Sequence, residues 1–112
     1  MNYMAIPGIN KADKPKSIRK TPEYLLNVVC DYHHIRYSEI FKATRQRKYV
    51  IPRQRFFYLC WLYDCENTYS LSRRYGYNHA TLIHARKVVM DEMNYNRQYH
   101  EEMQEIKNII ET

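Results

Sequence analysis

Tyr75-Gly76-Tyr77-Asn78-His79-Ala80-Thr81-Leu82 reads as a tight turn feeding a helix. Gly76, one of only two glycines in the chain, closes the helix before it in the left-handed conformation that glycine adopts most easily. Asn78 caps the helix after it. Upstream, a short helix follows the polar break Glu66-Asn67-Thr68 and carries Leu71 and Tyr75 at i, i+4. Downstream, Leu82, Ala85, Val89 and Met93 share one face of a longer helix. Two helices joined in this way form a helix-turn-helix, and the second opens with small polar residues.

Working back from the turn, Phe56, Leu59, Cys60 and Tyr63 form the stripe of a central core helix, with Trp61 and Leu62 widening it. Pro52 suits the first position of that helix, which makes residues 43–51 a loop. The segment 42–55 holds six basic residues (Lys42, Arg45, Arg47, Lys48, Arg53, Arg55) and no acid. A positive loop beside a helix start rich in hydrogen-bonding groups suits duplex DNA: the loop answers phosphates and the helix start reaches base edges.

Further upstream, Thr21-Pro22-Glu23 combines a hydroxyl cap, a proline at the first helical position and an acid at the positive dipole end. Leu25, Val28, Val29 and Tyr32 then line one face, and this helix fades near Ile35. Ser38 is expected to cap a short helical turn with Ile40 and Phe41. Residues 1–20 lack any period and read as a flexible basic arm; residues 21–112 form the folded domain. After a break over 94–98, Tyr99, Met103, Ile106 and Ile110 give a last apolar stripe, assigned to core packing ahead of partner binding. The fold class is all-α, a small helical bundle.

Charge is unevenly placed. Residues 1–20 hold five basic and one acidic side chain, residues 21–90 eleven and five, and residues 91–112 two and six. The middle of the chain thus favours a polyanionic partner and its end does not. No apolar run is long enough to span a bilayer and the start lacks a signal-peptide core, so a cytoplasmic, nucleoid-associated protein without membrane contact is expected. Three cysteines (Cys30, Cys60, Cys65) fit free, mostly buried thiols.

These residues resemble the C-terminal DNA-binding domain (domain IV) of the bacterial replication initiator DnaA, of Trp-repressor-like fold. The resemblance runs from Thr21 to Thr112. It is carried by Arg45-Gln46-Arg47 leading to Pro52-Arg53-Gln54, by Tyr75-Gly76, and by Asn78-His79-Ala80-Thr81-Leu82-Ile83-His84-Ala85-Arg86-Lys87. It implies that Arg45 enters the minor groove, aided by Arg47 and Lys48 on the basic loop. Arg53 and Gln54 open the core helix toward the backbone. Asn78, His79, Ala80 and Thr81 read the major groove, and Lys87 steadies the recognition helix. An arginine on a loop suits the narrow, negative minor groove of A·T-rich DNA, and Thr81 offers both a hydroxyl and a methyl.

Three departures shift the expected site without changing the mode. Asn78 replaces an acid that would accept from cytosine N4, and an asparagine both accepts and donates and pairs well with adenine. Ala80 replaces a threonine. The turn is one residue shorter, with Tyr77 where the family has a basic residue. With glycine only at positions 8 and 76, no phosphate-binding Gly-x-x-x-x-Gly-Lys loop can form, so the expectation is a DNA-reading domain without ATPase or nucleotide. Such a domain would serve in replication or transcription, alone or with a replication or transcription protein.

Other readings carry less. Cys30-x-x-His33 and Cys60-x₄-Cys65 invite zinc, but the second spacing is wrong for a zinc knuckle, and no metal or other cofactor is expected. His79 reads as a DNA contact and His84 as a packed or solvent-edge residue. No nucleophile–base–orienter set is spaced for catalysis, so no enzyme is expected. The principal alternative is a protein–protein interaction module binding a host or replication partner, because twelve tyrosines, Tyr58, Tyr63, Tyr69, Tyr95 and Tyr99 among them, are many for this length.

Overall fold

The computed structural model describes residues 20–112, which form six helices. The expected arm over 1–20 lies, apart from Lys20, outside the described residues. Helix α1 (Pro22–His33) starts as its sequence directs: the Thr21 hydroxyl accepts from the Tyr24 N–H at 3.1 Å, and Pro22 takes the first position. Leu25, Leu26, Val28 and Val29 face the core. The helix closes on His34 in the left-handed region (φ 57°), with the N–H groups of His34 and Ile35 returning to the carbonyls of Asp31 and Cys30.

Helix α2 (Tyr37–Ile40) is a single turn, and Ser38 lies within it instead of capping it. The cap position belongs to Arg36, whose N–H donates to the Glu39 carboxylate at 3.2 Å. The helix starts one residue before Ser38, so the Ser38 hydroxyl does not occupy the cap position.

Helix α3 (Arg47–Leu62) begins five residues before Pro52, contrary to the expected start at the proline. Pro52 there deletes only the hydrogen bond that would end on the Lys48 carbonyl, at the helix edge, while its ring is buried. The loop therefore shrinks to residues 41–46. Arg45 stays on it, whereas Arg47 and Lys48 join the first turn of α3. Phe56, Leu59, Cys60 and Tyr63 are buried as expected; Trp61 is not, remaining 42 % exposed.

Helix α4 (Thr68–Tyr75) is capped by Asn67, which accepts from the Ser70 N–H at 2.8 Å. Helix α5 (His79–Tyr95) packs on α3 and α4 through Leu82, Ala85 and Val89. The break expected over 94–98 contracts to Asn96. That residue closes α5 through its N–H to the Glu92 carbonyl (2.8 Å) and opens α6 (Arg97–Glu111) by accepting from the Tyr99 N–H (3.1 Å). Tyr99, Met103, Ile106 and Ile110 are all buried against α1 and α5, so the last stripe is core.

Among the described residues, one charged side chain is buried. Arg55, 1 % exposed, donates to Glu102 of α6 at 2.7 Å and lies 3.2 Å from Nε2 of His33 in α1, with its guanidinium 4.1 Å from the Tyr99 ring centre. A buried guanidinium needs such company, and removing a single partner strands the rest. Arg55 therefore belongs to the fold, holding α1, α3 and α6 together.

Candidate nucleic-acid interface

The turn before α5 is built by local chemistry. Gly76 sits at φ 75°, its N–H returning to the Arg73 carbonyl (3.3 Å) and the Tyr77 N–H to that of Ser72 (2.8 Å). This paired closure satisfies the last carbonyls of α4 and aims the chain into α5. Asn78 then caps α5, its side-chain oxygen accepting from the Ala80 N–H at 2.8 Å. Asn78, His79, Ala80 and Thr81 are all exposed, and Lys87 is exposed two turns further on.

An aromatic cluster fixes this turn against the basic loop. The Phe41 ring stacks on Tyr75 with centroids 4.8 Å apart and lies 6.0 Å from Tyr77, while Tyr77 meets Phe57 edge-on at 5.3 Å. Phe41 is the root of the loop, and Tyr75 and Tyr77 bracket Gly76. Arg53 clamps the same root: its Nε donates to the Ile40 carbonyl (2.9 Å) and a terminal nitrogen to that of Lys42 (2.8 Å). The carbonyls on both sides of Phe41 are thus held by one side chain. Gln54, next to it, is half-buried.

The loop and the first turn of α3 present charge outward. Arg45, Arg47 and Lys48 are exposed, and none of them, nor Lys87, forms an ion pair among the described residues. Lys42 and Lys48 lie on the Tyr49 ring, their ammonium groups 5.3 and 5.0 Å from its centre, which orders them while leaving their protons available. By contrast, Arg74 is spent on Glu66 (2.8 Å) and Glu23 (3.3 Å).

Behind the start of α3 lies an open pocket of about 270 Å³ lined by Tyr32, His33, Arg47, Lys48, Ile51, Pro52 and Glu102. Burial first, and the Arg55 guanidinium second, hold the His33 imidazole down at about 4, so it adds no positive charge there at neutral pH. Arg55 likewise holds the Glu102 carboxyl below the usual carboxylate range.

The stripe of α3 places Trp61 in the core, and the motif that includes Arg86 gives no sign of its partner; the structure pairs the two. The Arg86 guanidinium lies over the Trp61 ring at 4.7 Å on the flank of α5, a pairing across two helices that no periodicity announces. Tyr77, which replaces a basic residue of the family pattern, is half-buried among aromatic rings. Tyr58, Tyr63 and Tyr99 are buried, whereas Tyr69 and Tyr95 are 58 % and 88 % exposed. Cys30 and Cys60 are buried free thiols, burial pushing Cys30 up to about 11. Among the described residues, no three metal-ligating side chains converge and no helix is long and apolar enough to cross a membrane.

Comparison with known proteins finds the same region. The profile of the bacterial DnaA protein helix-turn-helix matches residues 22–89. The chromosomal replication initiator protein DnaA of Bacteroides thetaiotaomicron is 31 % identical over 91 residues, 80 % of this chain and 19 % of that protein. That of Ruegeria pomeroyi is 30 % identical over 92 residues, 81 % of this chain and 20 % of the relative. That of Corynebacterium jeikeium is 27 % identical over 110 residues, covering 97 % and 18 % respectively. The chain spans about a fifth of the length of these relatives.

Proposed function

Since the chain belongs to the bacterial DnaA helix-turn-helix family, we propose that it is a sequence-specific double-stranded DNA-binding protein acting at DnaA-box-like sites. One observation carries the reading: cations without ion pairs on the loop and the first turn of α3, and the exposed start of α5, are held side by side by the Phe41–Tyr75–Tyr77 cluster. DNA binding needs both contacts at once and in fixed relation.

In this reading α5 lies in the major groove with Asn78, His79, Ala80 and Thr81 at the bases. Arg45 enters the adjacent minor groove, and Arg47, Lys48 and Lys87 meet phosphates. Arg53 acts through the loop it clamps, with Gln54 beside the backbone. The output is regulation of replication or transcription, and a replication or transcription protein completes the partner set.

Salt titration of duplex affinity tests the reading against a protein-interaction module. With about five phosphate contacts, log K falls against log[salt] with a slope of about −4 to −5. Binding that is absent at near-physiological salt, or indifferent to salt, would count against DNA as the partner.

A further inference from the structure

We infer, on the basis of the DNA-binding reading above, that Arg73 of α4 is a further phosphate contact, gripping the DNA backbone beside the base that His79 faces. Tyr69 is the residue that positions it.

Arg73, Tyr69 and His79 form one exposed strip across the helix-turn-helix. Arg73 and Tyr69 stand four residues apart on α4 and so share a face. The guanidinium lies 5.7 Å from the centre of the Tyr69 ring, and a terminal nitrogen donates to the Tyr69 hydroxyl at 3.4 Å. The Tyr69 ring in turn lies 6.3 Å from the ring of His79, in the first turn of α5. Tyr69 is 58 % exposed, so burial does not account for an aromatic side chain there. Its neighbours on the surface are a cation on one side and a residue of the recognition helix on the other.

The two adjacent arginines of α4 differ. Either one suits the negative end of the helix, so that role does not separate them. Arg74 is committed to Glu66 and Glu23. Arg73 forms no ion pair among the described residues, and its bond to Tyr69 uses one of the five N–H groups of a guanidinium. The others can take two phosphate oxygens side by side, the fork geometry in which arginine excels over lysine. The turn has no such cation of its own. Tyr77 stands where the family has a basic residue, and its ring is half-buried against Phe41 and Phe57. With the second helix of a helix-turn-helix in the major groove, the first crosses the sugar–phosphate backbone. Arg73, on that first helix and joined to His79 through Tyr69, is the cation placed to meet it.

Duplex affinity of the full chain, followed by fluorescence anisotropy across a salt series, tests the assignment. The variants are Arg73→Ala, Arg74→Ala, Tyr69→Ala and the Arg73→Ala/Tyr69→Ala double variant, each first checked for unchanged helical content. Arg73→Ala should weaken binding about tenfold, alike on a selected site and on random duplex, and lower the salt slope by about 1. Arg74→Ala should leave the slope unchanged. Tyr69→Ala should weaken binding by itself but add little once Arg73 is gone, because its effect runs through the guanidinium. An unchanged slope in Arg73→Ala, or an equal drop in Arg74→Ala, would overturn the phosphate contact while leaving DNA binding intact. Losses that multiply fully in the double variant would overturn the positioning role of Tyr69. Wild type that binds neither duplex would overturn the DNA-binding reading, and this contact with it.

Discussion

Two kinds of basic residue at the interface are separable by experiment. Arg45 points charge outward with no ion pair, whereas Arg53 spends its guanidinium on the carbonyls of Ile40 and Lys42. Arg45→Ala should weaken duplex binding, lower the salt slope by about 1 and relax preference for A·T-rich flanks. Arg53→Ala should weaken binding with the slope unchanged, because it loosens the loop without removing a phosphate contact; equal slope changes in the two variants would make Arg53 a contact. Thr81, exposed in the first turn of α5, should behave as a base reader: Thr81→Ala should cost about 1–3 kcal/mol on a selected site and little on random duplex. Equal losses on both duplexes, measured by competition, would remove Thr81 from the reading set.

At the scale of elements, the helix-turn-helix angle depends on Gly76. No atom lies within 4 Å of where a Cβ would stand, so Gly76→Ala is penalised by the backbone alone, at φ 75°. Chemical denaturation should register a loss of about 1 kcal/mol. What was legible in the sequence follows the same division between local and distant causes. Thr21-Pro22, Gly76 and Asn78 were readable because each acts on N–H groups or dihedrals within a few residues, and the Tyr99–Ile110 stripe because its period is complete. The start of α3 was misread because proline favours a first turn locally, while burial of the Pro52 ring, a tertiary effect, let the helix extend back to Arg47. Ser38 does not cap because α2 begins one residue before it, with Arg36 at the cap position. The stacking of Phe41 on Tyr75, the clamp by Arg53 and the Arg86–Trp61 pair join residues of different elements, and no pattern within one helix encodes them.

Across the whole molecule, the Arg55 network ties stability to pH. His33 titrates at about 4 in the fold against a usual 6.5, so the folded state binds fewer protons than the unfolded one in between. Its contribution is complete above 6.5 and is lost as pH falls toward 4. Glu102, also held low, loses its contribution in the same direction through the carboxylate range. Melting temperature should accordingly fall as pH drops through that window. His33→Gln, whose amide oxygen still accepts from Arg55, should flatten the upper part of the fall. An identical pH profile in the variant would place the acid sensitivity elsewhere. Charge separates the molecule in the same sense, with the acidic residues 91–112 set in α6 and the end of α5 and the cations of 42–48 on the loop and the start of α3.

In the proposed function, the basic loop and the start of α5 form one DNA-binding surface. Backbone amide shifts of the labelled chain, followed while a short duplex is added at near-physiological salt, test it most directly. Concerted shifts are expected at residues 43–48 and 78–87, with α6 unmoved. Shifts confined to α6 or to the Tyr95 region, or none at either predicted segment, would contradict it.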